Sequence, residues 1–131
     1  SRVAAMTLAP GLRATVSIVV GDADTAAVVG SGEVPVLATP RLLALAEAAT
    51  VRALRDRLAP GQTSVGTRVE LHHRAASPVG APVEVTAELT EVDGRRLVFT
   101  VAAHQRDRLV ADGTVERFVV DTERFLAKLQ G

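Results

Sequence analysis

The chain has no cysteine, no tryptophan and no tyrosine, and only three phenylalanines among 131 residues. Without cysteine, disulfides, thiolate nucleophiles and Cys-ligated metals drop out together. So few aromatic rings argue against base- or sugar-stacking surfaces. An excess of either charge is also missing: 15 basic residues balance 15 acidic ones, and no basic block stands out. That speaks against nucleic acid as a partner, while an anionic small ligand needs only a few local cations. No apolar run approaches the roughly 18 residues of a membrane-spanning helix. The opening Ser1-Arg2-Val3-Ala4-Ala5-Met6-Thr7-Leu8 lacks the apolar core of a secretory signal, so a cytoplasmic protein without membrane contact is expected. Neither Gly-x-Ser-x-Gly nor a phosphate-cradling glycine loop occurs, and Gly30-Ser31-Gly32 is too short for either. The length suits one domain over residues 1–131, with residues 1–9 expected to be poorly ordered.

What the chain does have is an apolar run, Leu42 to Val51, that carries one charge, Glu47. Thr39-Pro40 stands just ahead of it. Threonine suits an N-cap, and proline is tolerated in the first turn. A helix from about Pro40 to Leu58 follows, closed by Ala59-Pro60-Gly61. A helix this apolar on most sides is a buried one. Glu47 then lies in the wall of a core, where an ionised carboxylate is costly unless paired. The ordinary alternative is a side chain that reaches out to water between small alanine neighbours.

The rest reads as strands. Leu12, Ala14, Val16, Ile18 and Val20 alternate with polar residues. Ala26 to Val29 suggests a short strand. Beyond the helix come Val65–Arg74, a strand alternating at Val83, Val85, Ala87 and Leu89, and a return strand through Leu97, Phe99, Val101 and Ala103. Asp93-Gly94 marks the hairpin between the last two. Leu109–Val120 is the final long strand, and Asp121 can cap a closing helix through Leu129. A strand, a long buried helix and four antiparallel strands predict an α+β protein in which a curved antiparallel sheet wraps the helix, the hot-dog fold. A flat two-layer sheet would leave the helix's outer side bare unless another subunit covered it.

Three histidines are present. Strand neighbours point to opposite faces. Thr67, Val69, Leu71 and His73 share the apolar parity, so His73 is expected inward and His72 outward. Two histidines on opposite faces cannot chelate one metal, and a metal site is not expected. An inward histidine is commonly a hydrogen-bonded core residue, but Glu47 on the facing element gives it a partner in chemistry. Thr39 has a second role beside capping, since a hydroxyl at a helix start lies near unpaired N–H groups and becomes a nucleophile when a base is close.

These residues, taken with their neighbours, resemble the fluoroacetyl-CoA thioesterase family of hot-dog proteins. The resemblance is carried by Val36-Leu37-Ala38-Thr39, by Ala46-Glu47-Ala48-Ala49-Thr50-Val51-Arg52-Ala53-Leu54, and by Ser64-Val65-Gly66-Thr67 with His73. Pro78-Val79-Gly80, Val92-Asp93-Gly94-Arg95-Arg96-Leu97, Gly113-Thr114-Val115-Glu116-Arg117 and Phe125-Leu126-Ala127-Lys128 extend it over residues 34–128. It implies hydrolysis of an acyl-CoA thioester without a cofactor, CoA entering as part of the substrate. It implies a catalytic set of Thr39, Glu47 and His73, and contacts to the substrate at Gly66, Val36 and Leu37. It also implies a homodimer, or a higher assembly of dimers, with sites at the interface. A dimer answers a geometric need, because eight helical residues separate Thr39 from Glu47 by about 12 Å. The family's loop phenylalanines, which close over the acyl group, have no counterpart in Gly30-Ser31-Gly32-Glu33. Ordinary acyl-CoAs are therefore expected rather than fluoroacetyl-CoA alone. A hydratase or a non-catalytic acyl-CoA-binding domain would share the fold, though no Asp–His pair suits the former.

Overall fold

The computed structural model describes residues 8–130. The poor order expected for residues 1–9 therefore falls largely outside the described residues, and Leu8 lies against the core. Strands β1 (Arg13–Val19), β2 (Gln62–His73), β3 (Pro82–Asp93), β4 (Arg96–Gln105) and β5 (Arg108–Asp121) form one antiparallel sheet. Their order is β1-β3-β4-β5-β2. Helix α1 spans Ala26–Val29, α2 Thr39–Ala53 and α3 Thr122–Lys128.

The period-two pattern decides which side of the sheet is covered. Val83, Val85, Ala87 and Leu89 of β3 and Leu97, Phe99, Val101 and Ala103 of β4 are all buried. Leu42, Leu45, Ala46, Ala49 and Ala53 of α2 close over them. Phe99 is fully buried, which stabilises by roughly 1.5–3 kcal/mol relative to exposure. The outer sheet face is polar and laced with ion pairs, such as Arg96 with Glu116 at 3.0 Å.

Five local expectations are corrected. Ala26–Val29 is a helical turn, not a strand, because Thr25 accepts from Val28 N–H and Gly30 closes the turn at a left-handed φ of 92°. Helix α2 ends at Ala53 rather than near Leu58. Asp93 pairs with Arg96, so the hairpin loop is Gly94-Arg95, and only Gly94 needs positive φ. Asp121 precedes α3 but makes no capping bond with its side chain, which pairs with Arg95 and Arg124 instead. Finally, the sheet does not cover α2 all round: Ala44, Ala48 and Val51 stay exposed along one edge of the helix.

Candidate active site

The start of α2 is held from three sides. Leu37 N–H donates to the Ser77 carbonyl at 2.8 Å, and Ala38 N–H to that of Asp24 at 2.9 Å. Arg41 Nε reaches Asp24 Oδ1 at 2.8 Å, and this guanidinium holds the Asp24 carboxyl below the usual carboxylate range. Ala38, not Thr39, is the N-cap, with Thr39 and Pro40 in the first turn and no side-chain cap bond. The Thr39 hydroxyl is thereby released from capping. It lies 2.7 Å from His73 Nδ1, 34 residues on in sequence.

His73 is half-buried at the end of β2, and His72 beside it is exposed near Glu70. Burial pushes the His73 imidazole below its ordinary pKa, while a backbone hydrogen bond with Ala75 opposes the shift. Its Nε2 is buried and finds no hydrogen-bond partner among the described residues. A doubly protonated ring would leave a cationic N–H at that nitrogen without solvent, so the neutral ring is favoured. Thr39 and His73 line a cavity of about 350 Å³ together with Val36 and Leu37, and Ser31, Gly32 and Val34 form its outer rim. No aromatic side chain lines it.

Glu47 stands apart. Among the described residues no hydrogen bond or ion pair joins it to Thr39 or His73. Its Oε2 lies 3.5 Å from Arg117 Nη1, and its side chain is 36% exposed. Arg117 is buried and pinned by Ser64, whose Oγ accepts from Nε at 2.8 Å and whose carbonyl accepts from Nη2 at 3.0 Å. Burial pushes the guanidinium down from its usual range, and the nearby Glu47 opposes this. Gly66 faces the same carboxylate so closely that a Cβ there would collide with Glu47 Oε2.

Gly66 and His73 are seven residues apart, which on a regular strand would put them on opposite faces. Both face the helix side because β2 carries a bulge: Gly66 pairs with Arg117 but Arg68 with Glu116, leaving Thr67 as the extra residue. Thr67 thus leaves the inward parity expected of it, while Val69, Leu71 and His73 keep theirs. One protomer therefore brings Val36, Leu37, Thr39 and His73 together at one end of β2. It brings Gly66 and Glu47 together further back along β2, roughly 20 Å away along the strand. Sequence reasoning missed Arg117 and Ser64. The signal was a charge on the inward parity of β5, between Val115 and Val119.

A curved sheet folded on a central helix, with a hydroxyl–imidazole pair beside a cavity, defines a hot-dog protein of the thioesterase type. Solved structures agree. A thioesterase superfamily member from Thermus thermophilus matches at TM-score 0.86 and 26% identity, over 93% of this chain and 90% of that one. The fluoroacetyl-CoA thioesterase FlK matches at TM-score 0.86 and 40% identity, over 94% of this chain and 96% of that one. The fluoroacetyl-CoA thioesterase of Streptantibioticus cattleyicolor is 45% identical over 95 residues, 72% of this chain and 68% of that protein. Residues 20–123 match the family described as fluoroacetyl-CoA-specific thioesterase, FlK. The chain belongs to that family.

Proposed function

We propose that this protein hydrolyses acyl-CoA thioesters to the free acid and CoA, with Thr39, His73 and Glu47 as its catalytic set. The observation that carries the reading is the 2.7 Å contact between Thr39 Oγ1 and His73 Nδ1 at the wall of the 350 Å³ cavity. A hydroxyl and a base within hydrogen-bond reach make an activated nucleophile or a water-activating pair. In the tautomer protonated at Nε2, Nδ1 accepts the Thr39 proton, and burial keeps the ring neutral for that task. The N–H groups of the first turn of α2 lie beside Thr39 and stabilise charge developing on the carbonyl oxygen. Glu47 is the carboxylate-bearing partner, as a base for water or as an attacking group. No cofactor is needed; CoA arrives with the substrate.

The working unit of this reading is a homodimer. Strand β2 is an edge of the sheet with unpaired backbone groups, and the exposed Ala44, Ala48 and Val51 flank it on α2. Pairing two copies of β2 antiparallel about a two-fold axis near Val69–Glu70 exchanges Gly66 and His73. Each site then combines Thr39 and His73 of one protomer with Glu47 and Gly66 of its partner, which meets the separation within one chain. A cytoplasmic setting, where CoA thioesters are made and consumed, goes with this reading.

The cavity rim of Ser31, Gly32 and Val34 has no aromatic lid. Short- to medium-chain and aryl acyl groups are accepted on this reading with weak preference, since one methylene in an apolar pocket discriminates by only about 1–3 kcal/mol. Thiol release measured over acyl-CoAs from two carbons upward, with fluoroacetyl- and crotonyl-CoA included, tests it. Turnover of several acyl-CoAs is expected, with kcat/KM for fluoroacetyl-CoA within about 10³-fold of acetyl-CoA. Hydration of crotonyl-CoA without thiol release would make the protein a hydratase, and CoA binding without turnover a binding domain.

A further inference from the structure

Only three phenylalanines and one lysine occur in the chain. Phe99 is in the core, but Phe118 and Phe125 both line a surface cavity of about 250 Å³, and Lys128 lines it with them. Three elements build this cavity. Phe118 belongs to the outward parity of β5, between the buried Arg117 and Val119, and is 42% exposed. On α3, Arg124, Phe125 and Lys128 follow Asp121 at three, four and seven residues, the spacing of one helix face. Arg95 comes from the β3–β4 hairpin and is tied to Val119 in both directions. Its carbonyl accepts from Val119 N–H at 2.9 Å, and its Nη1 donates to the Val119 carbonyl at 3.1 Å.

The charges here are unbalanced. Arg95 and Arg124 converge on one acid, each 3.6 Å from Asp121 Oδ2, and Lys128 has no ion-pair partner among the described residues. Three cations and one carboxylate leave an excess of positive charge beside two aromatic rings. A ligand that answers both features is flat, apolar and anionic. A guanidinium fork matches the two oxygens of a carboxylate, and aromatic rings attract a further ring beyond simple area burial. Size narrows the class. The cavity is smaller than the roughly 300 Å³ at which drug-sized sites begin, so one ring with a short acidic arm fills it.

We propose that this cavity is a second binding site, for a monocyclic aromatic carboxylate. The ring lies between Phe118 and Phe125, and the carboxylate meets Arg95, Arg124 and Lys128. The cavity shares no lining residue with that of Thr39 and His73, and neither α2 nor β2 lines it. The proposal therefore stands apart from the thioesterase reading and from the pairing of protomers through β2.

Calorimetric titration with benzoate tests it, with benzamide and acetate as probes that lack the charge and the ring respectively. Benzoate should bind with a Kd of about 1 mM or tighter, and both other probes at least roughly tenfold more weakly. Phe118→Leu, which keeps an apolar side chain, and Arg124→Gln should each weaken benzoate binding by roughly five- to tenfold. Their melting temperatures should stay near that of wild type. Because Lys128 is the one lysine, amine acylation with peptide mapping gives a readout confined to this site. Benzoate at about ten times its Kd should slow acylation of Lys128 roughly tenfold and leave that of the α-amino group unchanged. Equal affinity for benzoate and benzamide, or no benzoate binding up to about 10 mM, would overturn the proposal. So would benzoate binding that survives both substitutions or leaves Lys128 acylation unchanged, since the acid would then sit elsewhere.

Discussion

Thr39 has two chemically sensible partners for one hydroxyl: the open N–H groups of its own helix, or a base brought from elsewhere. Ala38 takes the N-cap position, so the hydroxyl goes to His73 Nδ1 instead. The same economy distinguishes the two adjacent histidines. His73→Ala should abolish turnover, because the Thr39 hydroxyl loses its base, whereas His72→Ala removes only an exposed ring near Glu70 and should keep most activity. Parallel assays of both purified variants check this, and equal losses would contradict it. The burial that depresses the His73 pKa also sets a pH dependence. A base works when neutral, so kcat/KM should fall as the pH drops and the ring protonates. The midpoint of that acid limb should lie below the ordinary histidine value of about 6.5. A pH–rate profile from 4.5 to 8 locates it, and His73→Ala should carry no such limb.

At the scale of an element, β2 carries the decisive irregularity. The bulge at Thr67 turns Gly66 and His73 toward one side of the sheet, and β2 also meets the sheet's edge. A Cβ at Gly66 would take the space that the flexible end of Glu47, its carboxylate, now occupies. Gly66→Ala should therefore displace Glu47 from Arg117 and lower kcat by about 10²-fold, the scale of losing a general base. Alanine is an ordinary strand residue at this backbone, so the fold should survive. A near-native melting temperature with lost activity is the expected pair of results. Full activity in Gly66→Ala would show that Glu47 does not need its present place.

At the scale of the whole molecule, the separation of Glu47 from Thr39 and His73 makes assembly part of the chemistry. Glu47→Gln keeps the size of the side chain, removes its charge, and should cost at least about 10²-fold in kcat. Mixing that variant with Thr39→Ala under conditions that let subunits exchange separates a composite site from a self-contained one. Half of the randomly formed dimers are mixed, and each mixed dimer holds one intact site of two, so about a quarter of wild-type activity should return. A set complete within one chain would recover nothing.

Much of this was legible in the chain because the relevant forces are local and periodic. Alternation at Val83–Leu89 and Leu97–Ala103 determines which strand faces are buried, since apolar side chains leave water whatever the global arrangement. The run Leu42–Val51 determines a helix with a lone carboxylate, and strand parity separates His73 from His72. Tertiary structure decided what depends on residues distant in sequence. The extra residue at Thr67 has no signature in the period-two pattern, and it alone brings Gly66 to the side of Glu47. Arg117 became Glu47's counter-ion only when β5 was laid beside β2, with Ser64 to hold its guanidinium. Thr39 became a partner for His73 rather than a cap because Asp24 and Ser77, reached across the fold, fix where α2 begins. Sequence determines which side chains are buried or charged, because transfer from water is a property of each residue. Which of them meet is a property of register and crossover, and those are settled only when the sheet closes.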